Sequence, residues 1–574
     1  MTDMFIRTVR ARGGRGEKHE YLRLVENYRE NGRSKQRVVI SLGRRDLLAP
    51  HLESLVRMLG GGGEWVRASG VEPEEAACWG TVLVARHLWH ELGLDSILDC
   101  AEERRSGASL SERAFVLVAN RLCSPGSEHH LASWLGTDYV CDGKGGRWVA
   151  PWEEHGRVQV NRTWLQRWYR TLDRLVDRKE AVEEALYYRL RDLFSLRAEL
   201  VFYDVTSTYF EGGGPEGLGG HGYSRDGRPH NAQVQMGVVM VNGWPVAHHV
   251  FPGNWRESET VGEVLEDLER RFGLKRVVFV GDRGMVTSDN LAMLRGREQG
   301  YLVGLQRRRR EDVYRTIVKA TGPWEECPGT AGVKGEGSRT LVQEVAGDEP
   351  GVRIFVVHSE ERLAYERAMR ERAMERTRRE LEKLERRVAE GKVKAPEKIG
   401  AAAARILTRN HGHRYYDWEL EDGVFRYFEH PNLERERAYE GKYLIQTEER
   451  GLTPVEAVAA YKELSEVERT FRCLKDVIEM RPVYHRDEGR VRGHIFVAVL
   501  AFLLKRALEK KLKMAGSTLS AEAALEALRT IHVVHMQVGS ERKQGVTGGS
   551  GRAREVLRAL AITDTAPPPC PATT

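Results

Sequence analysis

The hydrophobic period of this 574-residue chain changes near residue 199, and this change constrains the fold more than any other feature. Before it, apolar residues recur at three- and four-residue spacings, which predicts helices over 74–195. After it, short apolar runs predict three consecutive strands, at 199–204, 232–241 and 244–251. Helix, strand, helix and strand then follow up to residue 306. This order requires a mixed sheet with a right-handed crossover into a parallel strand.

Composition excludes several classes of protein. Hydrophobic residues make up 41% and charged residues 30% of the chain, which is typical of folded globular domains and unlike a disordered or membrane-embedded chain. The polar, basic N-terminus lacks the apolar core of a secretory signal, so the expected location is the cytoplasm. The seven cysteines contain no C-x-x-C pair, which argues against disulfides and a zinc knuckle.

The N-terminal segment is basic and rich in β-strand patterns. Residues 1–50 contain 12 Lys and Arg against 6 Asp and Glu, an excess that favours a polyanion as partner. On charge alone, a solvated small domain is equally consistent with this excess. Alternating patterns predict strands at 4–12, 21–30 and 35–43, and the glycine run at 60–63 is typical of a linker.

These patterns predict a multidomain α/β protein with a mixed-sheet core that matches the RNase H-like order. A large insertion interrupts this core, and within it residues 360–394 combine 12 basic and 9 acidic residues with helical spacing. The predicted parts are a small basic β-rich module (1–63), a helical domain for DNA binding or dimerisation (74–195), the catalytic core (196–306 and 446–515), the insertion (307–445) and a C-terminal helical segment with a disordered tail (516–574).

Two aspartates follow predicted buried strands. Asp204 ends the run "LVFYD" and Asp282 ends "VVFVGD". Because the carboxyl ends of parallel strands meet at one edge of a sheet, we expect these carboxylates to converge if the strands are neighbours. Either residue alone fits a turn or a helix cap equally well.

A third acid lies on a helix with a clear start. Thr453, Pro454 and Glu456 predict an N-cap, a proline at the first helical position and a capping box, and Pro482 ends the helix near residue 480. A helical wheel places four polar residues on one exposed edge beside the buried stripe: Tyr461, Glu468, Arg472 and Lys475. A metal ligand with phosphate clamps fits this edge, and so does a salt-bridged helix surface.

The pattern Tyr461-x2-Leu464-x3-Glu468-x6-Lys475 resembles the Y-x2-R-x3-E-x6-K signature of insertion-sequence DDE transposases. The segments "YDVTSTYFEG", "GDRGM" and "VERTFRCLKDVIEMRPVYH" are similar to the two aspartate regions and the glutamate region of one large bacterial and archaeal subgroup. Leu464 departs from the signature arginine, and Arg472, one turn beyond Glu468, is the candidate replacement.

The resemblance implies an enzyme that cuts DNA at the ends of its own element and joins them to a target. By this resemblance, Asp204, Asp282 and Glu468 hold two Mg²⁺ ions, for which Mn²⁺ can substitute. The implied DNA contacts come from Tyr461, Arg472, Lys475 and Arg283. The implied partners are the terminal inverted repeats and target DNA, bound by a homodimer.

Two alternatives stay open. They are a metal-dependent DNA nuclease without strand transfer and a non-catalytic DNA-binding protein derived from a transposase. No membrane partner is expected, and no ATP, since the sequence lacks a G-x-x-x-x-G-K-[ST] loop.

Overall fold

The chain divides into two units, Met1–Ala76 with Val533–Thr547, and Ala77–His532 with Gly548–Thr574. The five-part division made from the sequence stays a prediction. The computed structural model describes residues 3–12, 18–30, 33–51, 71–99, 108–142, 146–148, 153–154, 157–158, 160–194, 200–274, 277–281, 285, 287–305, 311–328, 339–347, 349–409, 411–538 and 541–568.

The strands of the described residues are, in chain order, β1 (Asp3–Arg12), β2 (Lys18–Glu30), β3 (Arg33–Arg44), β4 (Val71–Cys78), β5 (Glu153–Glu154), β6 (Arg157–Val158), β7 (Leu200–Tyr209), β8 (Gln233–Val241), β9 (Trp244–Pro252), β10 (Val278–Gly281), β11 (Gly300–Gly304), β12 (Glu325–Glu326), β13 (Thr340–Ala346), β14 (Arg353–Ser359), β15 (Tyr416–Glu421), β16 (Val424–Glu429), β17 (Lys442–Thr447), β18 (His532–Val538) and β19 (Glu541–Val546).

The α-helices are α1 (Arg45–Leu48), α2 (Gly80–Glu91), α3 (Leu94–Asp99), α4 (Leu110–Cys123), α5 (His130–Thr137), α6 (Arg162–Phe194), α7 (Val261–Phe272), α8 (Ser288–Gly296), α9 (Glu311–Lys319), α10 (Glu360–Ala389), α11 (Pro396–Arg409), α12 (Leu433–Tyr439), α13 (Pro454–Arg472), α14 (Glu488–Met514), α15 (Ala521–Leu528) and α16 (Gly551–Ala559).

The first unit consists mainly of β-strands. β1, β2 and β3 pair in sequence order, which confirms the three N-terminal strands expected from alternation. A second sheet has the order β19-β18-β4. The predictions of helix for 74–78 and of a purely helical segment after 516 were therefore wrong. Both errors have one cause, since β4 pairs with β18, more than 450 residues away, and local periodicity carries no information about such a partner.

A nine-stranded mixed sheet forms the centre of the second unit, in the order β12-β13-β14-β17-β11-β10-β7-β8-β9. β7 is antiparallel to β8 and parallel to β10, and β10 is parallel to β11. The predicted succession of strands and helices between 199 and 306 is confirmed. β7, β8 and β9 are buried along nearly their whole length because the sheet is covered on both faces, which explains their continuous apolar runs.

Helices from distant parts of the chain pack around one long helix. α14 is buried along most of its 27 residues and packs against α4 and α6. α14 and α6 approach each other closely at Gly493. A side-chain carbon added at Gly493 would lie only 2.8 Å from the carbonyl oxygen of Leu172 on α6. The absence of a side chain at 493 thus permits the close approach of the two helices. No helix in the described part of the chain is both long and apolar enough to cross a membrane.

The region 307–445 both extends the sheet and forms a core of its own. β13 and β14 join the central sheet through β17, a role that the sequence did not indicate. The long charged helix predicted over 360–394 is present as α10. Its buried residues Leu381, Leu384 and Val388 pack with α11 and the β15–β16 hairpin. The apolar stripe therefore faces a partner, while the interleaved charges face solvent.

Candidate active site

Asp204 lies in the middle of the central strand β7. The strand continues to Tyr209, so the prediction that Asp204 ends its strand was wrong. Only 4% of the residue is exposed, and one carboxylate oxygen accepts a hydrogen bond of 2.8 Å from the backbone N–H of Val205. A buried carboxylate requires hydrogen bonds or charges around it, and the backbone N–H of Val205 supplies one of these interactions.

The register between β7 and β10 is parallel, with Val280 opposite Phe202. Asp204 follows Phe202 by two residues, and Asp282 follows Val280 by the same interval. The strands β7 and β10 are thus direct neighbours, as expected. Asp282 and Arg283 themselves lie outside the described residues.

The start of α13 agrees with the sequence prediction in each particular. The Thr453 hydroxyl accepts a hydrogen bond from the backbone N–H of Glu456 (3.3 Å), and the Glu456 carboxylate accepts one from the N–H of Thr453 (2.9 Å). Pro454 occupies the first turn of the helix. Backbone N–H groups in the first turn make no intrahelical hydrogen bond, so the lack of an N–H at Pro454 costs the helix nothing. This capping box sets where the helix begins and hence which residues face the sheet.

α13 crosses the strands of the sheet. Near the middle of the helix, the ammonium of Lys462 donates to the hydroxyl of Thr340 on β13 (3.0 Å). Near its C-terminus, the hydroxyl of Thr470 lies 3.9 Å from the sulfur of Met240 on β8. Glu468 belongs to the stretch between these contacts, where the helix passes over β10 and β7.

The face of β7 that carries Asp204 is the face covered by α13. Met240 pairs with Phe202 across the β7–β8 ladder, and cross-strand partners point to the same side of a sheet. Asp204 is two residues beyond Phe202, so it shares that side as well. The carboxylate of Asp204 and the helix that bears Glu468 therefore lie on one side of the sheet.

The predicted polar edge of α13 is only partly exposed. Glu468 and Arg472 are exposed, and Leu464, at the position of the signature arginine, is buried with 7% exposure. Among the described residues, Arg472 has neither an ion pair nor a side-chain hydrogen bond. A carboxylate and a guanidinium thus stand one helical turn apart at the border of the core.

Tyr461 points toward the sheet rather than into solvent. Its hydroxyl lies against Gly304 on β11. A side-chain carbon added at Gly304 would be only 2.1 Å from the hydroxyl oxygen of Tyr461. The ring centroid is 5.9 Å from that of Tyr443 on β17. A contact of Tyr461 with DNA stays a prediction.

Lys475 is buried, and its predicted place on an exposed edge was wrong. The helix continues after Arg472 as a π-turn over Cys473–Val477, with the N–H of Ile478 donating to the carbonyl of Cys473 (2.9 Å). A π-turn advances by a smaller angle per residue than an α-helix, so the 100° wheel misplaces residue 475. Only 9% of the Lys475 side chain is exposed.

Asp226, the partner that holds this lysine, belongs to no sequence motif and was not among the predicted site residues. The Lys475 ammonium donates to the carbonyl of Ser207 on β7 (2.6 Å) and to one carboxylate oxygen of Asp226 (3.0 Å). Arg481 donates to the same oxygen. Burial lowers the pKa of Lys475, and the hydrogen bond to Asp226 opposes this shift. Lys475 thereby ties the end of the α13 segment to β7, three residues beyond Asp204.

Two family models match the chain. One, described as the N-terminal domain of IS1634 family transposases, matches residues 6–64, and the other, described as the transposase DDE domain, matches residues 197–504. No curated protein matches significantly.

The solved structures similar to this chain include one described as a piggyBac transposase synaptic complex with hairpin DNA. It is 7% identical, with a TM-score of 0.32, and the similarity covers 80% of this chain and 82% of that chain. A TM-score this low supports no inference. The DDE-domain match, in contrast, spans more than half of the chain, and this chain therefore belongs to the insertion-sequence DDE transposases and is a DNA transposase.

Proposed function

We propose that this transposase cleaves DNA at the ends of an insertion sequence and joins them to target DNA, with Asp204, Asp282 and Glu468 as ligands of two divalent ions. The observation that carries the proposal is the buried Asp204 on a central strand, on the side covered by the helix that bears Glu468. The strand order β9-β8-β7-β10-β11 and its directions support an RNase H-like core.

The proposed ligands suit magnesium. Carboxylate oxygens are hard ligands that bind Mg²⁺ and Mn²⁺ in preference to softer metals. Asp204 fits this role because its carboxylate is buried and held by a backbone N–H within a rigid strand. When bound, divalent ions activate the attacking and leaving oxygens of an in-line phosphoryl displacement.

Three residues of the helical segment that covers β7 have separate proposed roles: metal binding, phosphate binding and positioning of the helix. Glu468, the proposed third metal ligand, is exposed on α13 and is therefore accessible to DNA. Arg472, one turn further, presents a guanidinium that matches the geometry of a phosphate. Lys475 acts through its bonds to Ser207 and Asp226 and so positions the end of the helix against β7.

The proposed DNA partners are the terminal inverted repeats of the element and its target, bound by a homodimer in the cytoplasm. A nuclease without strand transfer is the main alternative. The two differ in one product, because only strand transfer joins the cut 3′ ends to a second DNA molecule.

The test is an incubation of the full chain with Mg²⁺, a labelled duplex carrying the inverted repeats that flank the gene, and a supercoiled target plasmid. Label that becomes covalently attached to the plasmid supports the transposase. Cleavage with no joined product, under conditions where cleavage is complete, supports the nuclease. If correctly folded protein yields neither the cleaved nor the joined product, the chain is a non-catalytic DNA-binding protein.

Arg472→Ala is expected to weaken DNA end binding and strand joining without changing the melting temperature. The physical reason is that an exposed side chain contributes little to folding, typically within about 0.5 kcal/mol, whereas a phosphate contact adds directly to DNA affinity. Band-shift titrations and thermal melts of the same preparation measure the two effects.

Leu464→Ala on the same helix is the matched control. Leu464 is buried, so its truncation is expected to cost about 2–5 kcal/mol of unfolding free energy. DNA affinity per folded molecule should stay unchanged. If Arg472→Ala instead lowers the melting temperature and binds DNA normally, Arg472 is structural.

The double variant Arg7→Ala/Lys18→Ala is expected to reduce the salt dependence of DNA end binding. Both side chains are exposed on the N-terminal sheet. Each lost phosphate contact should make the logarithmic salt slope shallower by about 0.9. Fluorescence anisotropy at several KCl concentrations measures the slope, and an unchanged slope would place DNA recognition outside these two strands.

A further inference from the structure

A second group of potential metal ligands lies apart from the carboxylates of the proposed active site. Glu128 follows α4, His485 lies between the π-turn and α14, and His494 is on α14. One ligand atom from each comes within 4.8 Å of the others. The three side chains are 6–10% exposed.

The distances within this cluster are longer than those of hydrogen bonds. The Glu128 carboxylate oxygen is 3.5 Å from Nε2 of His485 and 3.9 Å from Nδ1 of His494. A hydrogen bond between such atoms measures about 2.7–3.2 Å. Ligands of one tetrahedral zinc ion, each about 2.0–2.1 Å from the metal, are separated by comparable distances.

The backbone fixes the orientation of His494. Its Nε2 lies 2.9 Å from the carbonyl oxygen of Met480, to which it donates. In a neutral imidazole, this leaves Nδ1 as an acceptor, 3.2 Å from the Arg121 guanidinium and 3.9 Å from the Glu128 carboxylate. Metal-binding histidines are commonly held in this way, with the second ring nitrogen donating to a carbonyl.

Arg121 competes for this lone pair. Its guanidinium lies 3.2 Å from Nδ1 of His494 and also donates to the carbonyl of Glu479 (2.9 Å). The contact with His494 leaves Glu128 and His485 facing each other at 3.5 Å. A metal ion that also binds Nδ1 of His494 would have to displace the Arg121 guanidinium from that nitrogen, while the bond of Arg121 to the Glu479 carbonyl can remain.

Space for an additional ligand is present beside the cluster. A cavity of about 10 Å³ is bounded by Glu128, His494 and Asn120, and also by Arg121. This volume is close to the minimum that holds one water molecule. A water there would complete a four-coordinate site.

We propose that Glu128, His485 and His494 bind one zinc-class ion that stabilises the fold and is separate from the catalytic ions. Two imidazoles and one carboxylate favour zinc, whereas a set of carboxylates favours magnesium. The ion would join the segment after α4 to the segment that leads from the catalytic helix into α14.

The first experiment measures the metal content of the full chain, purified without a histidine tag, loaded with ZnSO4 and dialysed. Mass spectrometry of the metal is expected to find about one zinc per chain. Replacement by Co²⁺ should give the visible absorption bands of a tetrahedral nitrogen and oxygen site. Chelation should lower the melting temperature of the wild type.

Three variants locate the ion. Glu128→Gln and His485→Gln are expected to weaken zinc binding at least about 100-fold, and chelation should no longer shift their melting temperature. His413→Gln, which alters an exposed histidine elsewhere, should retain zinc. Asp204→Asn should also retain zinc, which separates this site from the proposed catalytic one.

Two results would overturn the proposal. One is a wild-type chain that keeps no zinc after loading, shows no cobalt bands and melts identically with and without chelator. Arg121 and protons would then supply the positive charge at Glu128. The other is zinc retained equally by Glu128→Gln and His485→Gln, which would place the ion elsewhere.

Discussion

Asp204→Asn is expected to abolish Mg²⁺-dependent cleavage of a duplex that carries the inverted repeats flanking the gene, while binding to that duplex stays within a few-fold of wild type. Asparagine preserves the shape of the buried side chain and its bond with the Val205 N–H, but it removes the charge that a divalent ion needs. Gel assays of cleavage and band-shift assays of binding measure the two quantities.

Glu468→Gln and Asp282→Asn should have the same effect, because all three carboxylates are assigned to the same ions. Glu463→Gln is the matched control, since Glu463 is on the same helix but on another side of it, and it should cleave normally. Substantial cleavage by folded Asp204→Asn or Glu468→Gln in Mg²⁺ would refute the assignment of the metal ligands.

Lys475→Met is expected to destabilise the protein by about 3 kcal/mol. Removing one partner of a buried ion pair costs about 3–5 kcal/mol because the other charge stays buried, and the bond from Arg481 to Asp226 places this case at the lower end. The Asp226 side chain is 4% exposed, and its second carboxylate oxygen has no hydrogen-bond partner among the described residues. Urea unfolding followed by circular dichroism measures the loss.

The double variant Lys475→Met/Asp226→Asn tests the cause. Because the uncompensated carboxylate is removed, the double variant should regain a large part of the stability lost by Lys475→Met. Arg472→Ala, an exposed cation on the preceding turn, should unfold like wild type. If Lys475→Met unfolds like wild type and yet fails to cleave DNA, Lys475 is the phosphate clamp that the sequence signature implied.

Local signals predicted the frame of the proposed site well. The capping box at Thr453 and Glu456 depends on residues three apart, so the sequence contains all of the information needed. The runs that became β7 and β10 are apolar on both faces because the sheet is covered on both sides, and this continuous apolar character marked them as strands of the buried sheet. The family signature then singled out Glu468 on the helix that crosses them.

The orientation of Lys475 could not be predicted from local sequence patterns. A wheel of 100° per residue assumes an unbroken α-helix, and the π-turn over Cys473–Val477 breaks that assumption. Asp226 also escaped notice, because its loop between β7 and β8 has no motif, and its importance comes from Lys475 and Arg481, some 250 residues away. Glu128 and His485 meet for the same kind of reason, through the packing of α4 against α14.

The sequence by itself determined the alternation of strands and helices in the core and the start of the helix that bears Glu468, because periodicity and caps act over a few residues. Only the tertiary structure decided which strands extend the sheet, that β4 pairs with the strand at 532–538, and which cation of the helix edge is buried. These features depend on contacts between residues that are far apart in the chain. Such a contact lowers the free energy of the fold only when both partners are in place, so neither local segment encodes it alone.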